Sequence, residues 1–367
     1  MYTNTQLFLI YSGLFFAALV FSLLVDSLFM RFARTLGIRD RAPIALRWSA
    51  SSKPAFGGIG FYILFLACFS LHGVLFPGQG REALRPELLG LLAATSLGFL
   101  MGLADDAYDT RPLLKLAVQI ACGAILVATG SVVDLFEQRW ANVALTMFWV
   151  VGLMNAVNML DNMDGITTVV SIGILVATVM AMLVIGPMDP VYMVLVVGTT
   201  AALCGFLFFN WHPSRMYMGD TGSQFLGVFL AFAGIRFFWN APSPLNMWEP
   251  ERQVFAAVIV FLLPIVDTTI VSINRIARGS SPFVGGRDHT THHLSYAGFS
   301  DGQVALTFMG LSLVNGFLTF VMFRFIEEWR NVHTLIFTVY ALIIFVALFI
   351  LTRRTRPQAP WQQTQEP

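Results

Sequence analysis

Charge is what this sequence has least of. Only 12% of its 367 residues are Asp, Glu, Lys or Arg, against about 25% in an ordinary soluble domain. With 56% hydrophobic residues, there is too little polar surface to cover a soluble globule of this length, and most of the exterior is left to lipid. A basic excess is missing too. The net charge of +1 gives no electrostatic footprint for a nucleic acid partner. Cysteine is scarce: Cys68, Cys122 and Cys204 stand in apolar runs without paired spacing, so they read as core residues rather than a disulfide or metal set. The N-terminus lacks the short basic, apolar and cleavage-site order of a removable signal, and its first apolar run is long enough to stay as a spanning helix.

Long apolar runs are abundant. A helix crossing the hydrocarbon needs about 20 mostly apolar residues. Eleven candidates meet this, at 7–30, 56–76, 87–104, 113–130, 141–158, 166–186, 191–209, 224–239, 253–275, 303–326 and 334–352. They predict an all-α polytopic membrane protein of about eleven transmembrane helices. Residues 1–352 form one domain, and 353–367 read as a polar, disordered cytoplasmic tail. No internal repeat of the transporter type is visible. Lys and Arg divide 15 to 7 between the two sides. The richer side holds the loop after the first run (Arg31, Arg34, Arg39, Arg41, Arg47, Lys53), then Arg111, Lys115, Arg215, Arg275, Arg278, Arg287 and the tail. The positive-inside rule makes that side cytoplasmic, with the N-terminus outside and the C-terminus inside.

Most of the acids that need a reason fall on the same side. Asp105 and Asp106 end the third run, where adjacent carboxylates repel each other and oppose the helix dipole. Either they form a solvated cap or a cation compensates them. Asn155-Ala-Val-Asn158-Met-Leu-Asp161-Asn-Met-Asp164-Gly165 ends the fifth run. Asn158 and Asp161 share a face at i, i+3, and Gly165 permits a turn that presents Asp164 separately. The third group runs from Asn210 to Ser223. Asp220 could cap the eighth helix, while Gly219 and Gly222 around it suggest close backbone approach to a ligand. The triplet Asp220-Thr221-Gly222 imitates an aspartic protease signature, but that enzyme needs two triplets in a β fold. The fourth group is the loop Gly285-Gly286-Arg287-Asp288-His289-Thr290-Thr291-His292-His293, where imidazoles beside Arg287 suit phosphate better than zinc.

Three further residues stand out. Lys115 opens the fourth helix, against its dipole, placed to neutralise Asp105 and Asp106 or to reach a phosphate. Asp267 lies within the ninth run, where a carboxylate is either functional or paired with Arg275 or Arg278. Lys53, before Gly57-Gly58, could help a helix N-terminus hold an anion, although paired glycines also serve helix packing.

Taken in order, Lys53-Pro-x-x-Gly-Gly, Asp105-Asp106, Asn158-x-x-Asp161-x-x-Asp164-Gly165, Asn210 to Met218-Gly-Asp220-x-Gly-Ser223, and His289-x-x-His292-His293 resemble the polyprenyl-phosphate N-acetylhexosamine-1-phosphate transferases of the MraY/WecA type, over about residues 50–300. The resemblance implies attack of a polyprenyl phosphate, undecaprenyl phosphate first, on the β-phosphate of a UDP-N-acetylsugar, releasing UMP. It implies Mg²⁺, or Mn²⁺, held by Asp220 with Asp105 and Asn158. Asp105 and Asp106 would deprotonate or position the lipid phosphate, and Asp164 joins the catalytic acids. Asn158, Asp161, Asp164 and Asn210 would line the nucleotide and metal pocket. Lys53, Lys115, Arg287, His289, His292 and His293 would bind the diphosphate and sugar. A bacterial inner-membrane location with the site facing the cytoplasm follows, among membrane lipids and without nucleic acid; a homodimer is left open.

Two departures narrow the branch. Asn162 stands where Asp-Gly-x-Asp-Gly is common in the family, which questions the turn there. The histidine run is less continuous than in the muramyl-pentapeptide branch, which favours the WecA-like branch and UDP-GlcNAc, with UDP-GalNAc, a 6-deoxy sugar or UDP-MurNAc-pentapeptide behind it. The rivals are a secondary transporter, whose acids would gather near the midplane, and an intramembrane aspartyl protease, which needs no histidine loop.

Overall fold

Each of the eleven apolar runs lies on helix. The structure, a computed structural model, describes residues 2–36, 53–77, 84–186, 189–242, 249–282 and 285–355. Arg39, Arg41, Arg47, Arg81 and Arg356, used in the charge count, and residues 356–367 of the expected tail lie outside the described residues. The helices are α1 (Asn4–Leu36), α2 (Gly57–Leu75), α3 (Pro86–Tyr108), α4 (Pro112–Ala128), α5 (Arg139–Leu160), α6 (Ile166–Ile185) and α7 (Pro190–Asn210). They continue with α8 (Gly219–Gly234), α9 (Pro250–Val260), α10 (Leu262–Ala277), α11 (Thr290–Tyr296), α12 (Asp301–Phe325) and α13 (Asn331–Arg354).

Among the described residues nine helices are long and apolar enough to cross a membrane, or ten if the bent pair α9–α10 is one span. The chain is a multi-pass membrane protein. Two of the expected runs differ from a plain span. The run 253–275 is split at Phe261 and bent by 75°. Pro264, in the first turn of α10, has no N–H to return to the preceding helix, and its ring crowds the carbonyl four residues back. The run 113–130 is the 17-residue α4, about 26 Å long at 1.5 Å per residue. α11 was not expected as a helix. It arises inside the histidine loop.

α8 is the axis of the bundle, packed by α2, α3 and α5. In its most apolar stretch, extended by a π turn at Ile235–Trp239, 94% of residues are buried, against 11% in α13, which faces lipid. Glycine sets the closeness of these crossings. A Cβ on Gly102 of α3 would enter the backbone of Asp220 and Thr221, and one on Gly58 of α2 would meet the backbone of Gly222. Gly57 and Gly58 give their N–H groups to the carbonyls of Tyr217 and Met218, at 3.2 and 3.1 Å. The paired glycines therefore serve packing, and their amides are not open to an anion. Because consecutive helices run antiparallel, the ends of α3, α5 and α7 and the starts of α4, α6 and α8 come to one end of the bundle.

Gly102→Ala should cost about 1–3 kcal/mol through overpacking against backbone that cannot rotate aside. Gly73→Ala in α2, where a Cβ meets nothing within 4 Å, should be neutral. Thermal melts of the two variants in detergent check the contrast.

Candidate active site

The two acids that end α3 point to different tasks. Asp106 turns to α8 and accepts from the amides of Asp220 and Thr221, both at 2.9 Å, and from the Thr221 hydroxyl at 2.6 Å. It caps α8 from a neighbouring helix, where a carboxylate also answers the helix dipole. Met218, the residue at the cap position of α8 itself, supplies no side-chain bond. Asp220 is thus not the cap. It sits in the first turn with its carboxylate in a cavity. Gly219 between them has φ +73°, and a Cβ there would lie 2.7 Å from Asp106 Oδ2.

Asp220 is held from two sides. Its Oδ1 accepts from Asn158 Nδ2 at 2.8 Å, and Asn158 also donates to Ser223 Oγ at 2.9 Å. Its Oδ2 pairs with the Lys115 ammonium, which lies 2.9 Å from Asp105 Oδ2 as well. Asp105 further accepts from Thr110 N at 3.1 Å and from the Thr110 hydroxyl. The expectation for Lys115 is to neutralise Asp105 and Asp106 or to reach a phosphate. It bridges Asp105 and Asp220 instead, because Asp106 is committed to α8.

The turn after α5 divides its acids in the same way. Asp164 accepts from Ser214 N at 2.9 Å, Ser214 Oγ at 2.6 Å and His212 Nδ1 at 3.1 Å, with Lys53 Nζ at 3.6 Å. Lys53 donates to Ser214 Oγ at 2.9 Å and stands over the Tyr217 ring. Asp164 and Lys53 therefore tie this turn to the α7–α8 connection. Asn210, 3% exposed, takes the Thr168 hydroxyl at 2.7 Å and donates to the Met216 carbonyl at 3.0 Å, so it fixes the same connection. Asp161, at the C-cap of α5, lines the cavity. Burial first, then the negative charges of Asp220, Asp106 and Asp164, push its carboxyl up to about 8.

In the histidine loop, Asp267 does not pair with Arg275 or Arg278. It accepts from His289 Nδ1 at 2.9 Å, Thr290 N at 2.8 Å and Thr290 Oγ1 at 2.6 Å. Arg275 makes a two-pronged pair with Asp288 at 2.6 and 3.0 Å. Burial alone would raise the Asp288 carboxyl, but Arg275 outweighs it and holds it below the usual range. His289 thus presents Nδ1 to a carboxylate, which leaves Nε2 for a ligand on the cavity wall. His292 is buried, lowered to about 3 by that burial and by His289, and stays neutral. Its Nδ1 faces the His289 amide and its Nε2 the Asn162 carbonyl, each at 3.4 Å. His293 turns away to Thr355 Oγ1 at 2.6 Å. Neither His293 nor Arg287, whose carbonyl takes the Tyr296 hydroxyl at 3.0 Å, lies on the cavity wall.

The cavity holds about 1200 Å³. It gathers Asp105, Asp106, Lys115, Asn158, Asp161 and Asp220 with Arg275, His289 and His292. The sequence reading passed over Gln119 and Gln224 and gave Asn155 only as the start of the acidic run; Gln119 and Asn155 line the cavity and exchange bonds at 2.7 and 3.3 Å, with Gln119 also donating to Gln224 at 3.2 Å. Their signal was three amides inside apolar runs. It also passed over Asp26, a 1% exposed acid in α1 that accepts from Ser22 and lies outside this cavity.

A family model described as glycosyl transferase family 4 matches residues 88–238. Over 344 residues the chain is 27% identical to the probable undecaprenyl-phosphate N-acetylglucosaminyl 1-phosphate transferase of Bacillus subtilis (strain 168), covering 91% of this chain and 89% of that protein. It is 28% identical to the decaprenyl-phosphate N-acetylglucosaminephosphotransferase of Mycobacterium tuberculosis (strain ATCC 25618 / H37Rv), covering 69% and 68%. It is 27% identical to the phospho-N-acetylmuramoyl-pentapeptide-transferase of Bacillus cytotoxicus, covering 85% and 96%. The chain is similar to members of the MraY/WecA superfamily.

Against the superfamily pattern, Asn162 needs no glycine geometry. Among the described residues only Asp109 has positive φ without being glycine. The Asn162 side chain accepts from Thr291 Oγ1 at 2.6 Å, joining the acidic turn to α11. The atoms near Asp220 that could ligate an ion are the carboxylate oxygens of Asp105 and Asp220 and the Oδ1 of Asn158, whose Nδ2 faces Asp220, a set that fits Mg²⁺ better than a softer ion. Among the described residues no three His, Cys, Asp or Glu side chains form a ready metal cage.

Asp161 carries its proton below about pH 8 and is a carboxylate above it. A divalent cation in this cavity competes with that proton, so binding should tighten as pH rises through about 8 and weaken as it falls. Mn²⁺ titrations followed by electron paramagnetic resonance at pH 6.5 and 9 check the sign. Asp267→Asn, which leaves His289 without its carboxylate in a buried site, should cost about 3 kcal/mol or more, read as a lowered melting temperature.

Proposed function

We propose that this enzyme transfers an N-acetylhexosamine-1-phosphate, GlcNAc-1-phosphate first, from the UDP-sugar to undecaprenyl phosphate, giving the undecaprenyl-diphosphate sugar and UMP. One observation carries the reading. The acids Asp105, Asp161 and Asp220, with Asn158 and Lys115, line a cavity whose wall continues onto the apolar side chains Leu116, Ile120, Met147 and Phe148. Phe148 is 76% exposed, so the wall reaches the lipid-facing surface, as a polyprenyl carrier requires.

Phosphoryl transfer asks a protein mainly for positioning and charge neutralisation. A phosphate oxygen of the lipid bonds to the β-phosphorus, the bridging bond to the α-phosphate breaks, and UMP leaves with that oxygen. Asp105 orients the attacking phosphate and accepts its proton where one remains. Lys115 offers the nearest fixed positive charge to the diphosphate. Asn158 keeps Asp220 in place, and His289, oriented by Asp267, turns its Nε2 to the sugar phosphate. Mg²⁺ held by Asp220, Asn158 and Asp105 would supply neutralisation of the phosphate oxygens.

The Bacillus subtilis and Mycobacterium tuberculosis relatives are named for GlcNAc transfer, which supports that sugar. The Bacillus cytotoxicus relative, matched over 96% of its length, supports UDP-MurNAc-pentapeptide as the second reading. The Lys and Arg bias supports a cytoplasmic site in a bacterial inner membrane, with the N-terminus outside and the C-terminus inside; the nine long helices, the bent pair as one span and the shorter apolar α4 would make eleven spans in one domain. The reaction would be the first membrane step of a cell-envelope glycan.

Purified protein in detergent with undecaprenyl phosphate, Mg²⁺ and a panel of UDP-N-acetylsugars should release UMP only when lipid is present, and UDP-GlcNAc should serve best. Asp220→Asn should lower the rate about a hundredfold or more. Absence of lipid-dependent UMP from every sugar, in a folded sample, contradicts the reading.

A further inference from the structure

Lys115 stands at a costly place. It lies in the first turn of α4, where the dipole of its own helix repels a cation. Its ammonium nevertheless spans Asp105 Oδ2, at 2.9 Å, and Asp220 Oδ2. Its side chain is 20% exposed, at the cavity wall. A divalent cation on Asp220 would use the same Oδ2 lone pairs that the ammonium now occupies, while Oδ1 is already taken by Asn158. The two cations therefore compete for one oxygen.

Resting on the transferase reading, we propose that Lys115 is a resident counter-cation, which holds the acidic site together until a divalent ion displaces it from Asp220 and its ammonium swings to a phosphate oxygen of the nucleotide diphosphate. Three observations carry this. Asp106 is spent on α8 and Asp164 on Ser214 and His212, so Asp105, Asp109, Asp161 and Asp220 are the acids left on the cavity, and Lys115 is paired with two of them. The exchange needs no helix to move, because α8 is fixed by its cap and its glycine crossings. A lysine stem of four carbons and three donors re-aims readily, where a guanidinium would be locked into its fork. Lys115 thus links metal and diphosphate: what it gives up at Asp220 it offers to the phosphates. Such a link is reciprocal in binding free energy.

The test is Mn²⁺ binding to the full-length protein in detergent, without lipid or nucleotide, followed by electron paramagnetic resonance. Lys115→Met, which keeps the length and loses the charge, should bind Mn²⁺ about tenfold more tightly, since a unit charge about 4 Å away is removed. The same variant should lose UMP release. Lys115→Arg should bind Mn²⁺ as the wild type does and recover only part of the activity. Asp220→Asn should abolish Mn²⁺ binding in both backgrounds. Unchanged or weaker Mn²⁺ binding by Lys115→Met overturns the counter-cation while leaving the transferase standing, provided that the wild type releases UMP. Mn²⁺ binding that ignores Asp220→Asn overturns the metal assignment and the counter-cation together.

If Lys115→Met does not fold, the wild type decides. Mn²⁺ should speed acylation of Lys115, read by peptide mass spectrometry, because it frees the ammonium from its carboxylates. Unchanged or slower acylation under saturating Mn²⁺ overturns the proposal.

Discussion

Everything in the site depends on where α8 begins. A helix start in the middle of a membrane bundle leaves amides without partners and a positive dipole end that needs an anion. Asp106 meets both demands from the end of α3, and the glycines at 58, 102 and 222 let α2 and α3 come close enough for it to do so. Asp220 is then projected from the first turn of a helix that cannot shift. Asn158 and Lys115 reach it from α5 and α4. The acids are brought together by helix ends rather than by a loop, and a buried, rigid centre gives the precision that phosphoryl transfer needs.

A division of labour follows from this arrangement. Some polar pairs are structural at close range. Asp164 with Ser214 and His212, Asn210 with Thr168, and Asp288 with Arg275 fasten the connections between helices. Asp164, Asn210 and Arg275 do so from the cavity wall, which Asp105, Asp161 and Asp220 share. Adjacent carboxylates in the chain, Asp105 and Asp106, fall on different sides of that line because successive helical residues point about 100° apart.

Much of the fold was legible because spanning helices leave a length and composition signature that survives without partners. The gathering of acids at one face was legible for a similar reason: antiparallel helices bring alternate ends together, and the acids lie at those ends. Partner choice was not legible. For Asp267 the structural alternative to a functional role is a pair with Arg275 or Arg278, the arginines near it in sequence, but the fold offers His289 and Thr290 first. Gly57-Gly58 looked open to an anion until the carbonyls of Tyr217 and Met218 filled it. Asp26, Gln119 and Gln224 escaped notice because single polar residues in apolar runs show no period, and only packing shows whether they face lipid, core or cavity. The break at Phe261 was foreshadowed by Pro264, yet its 75° angle is a property of the packing around it.

The central claim is that the Asp105-Asp106 pair is divided, one carboxylate serving the cavity and the other holding α8. The most direct measurement is an experimental structure with Mn²⁺ soaked in and located by its anomalous signal. Mn²⁺ should lie within bonding distance of Asp220, with Asp106 still on the amides of Asp220 and Thr221. An ion bound by Asp106, with those amides released, would contradict the division.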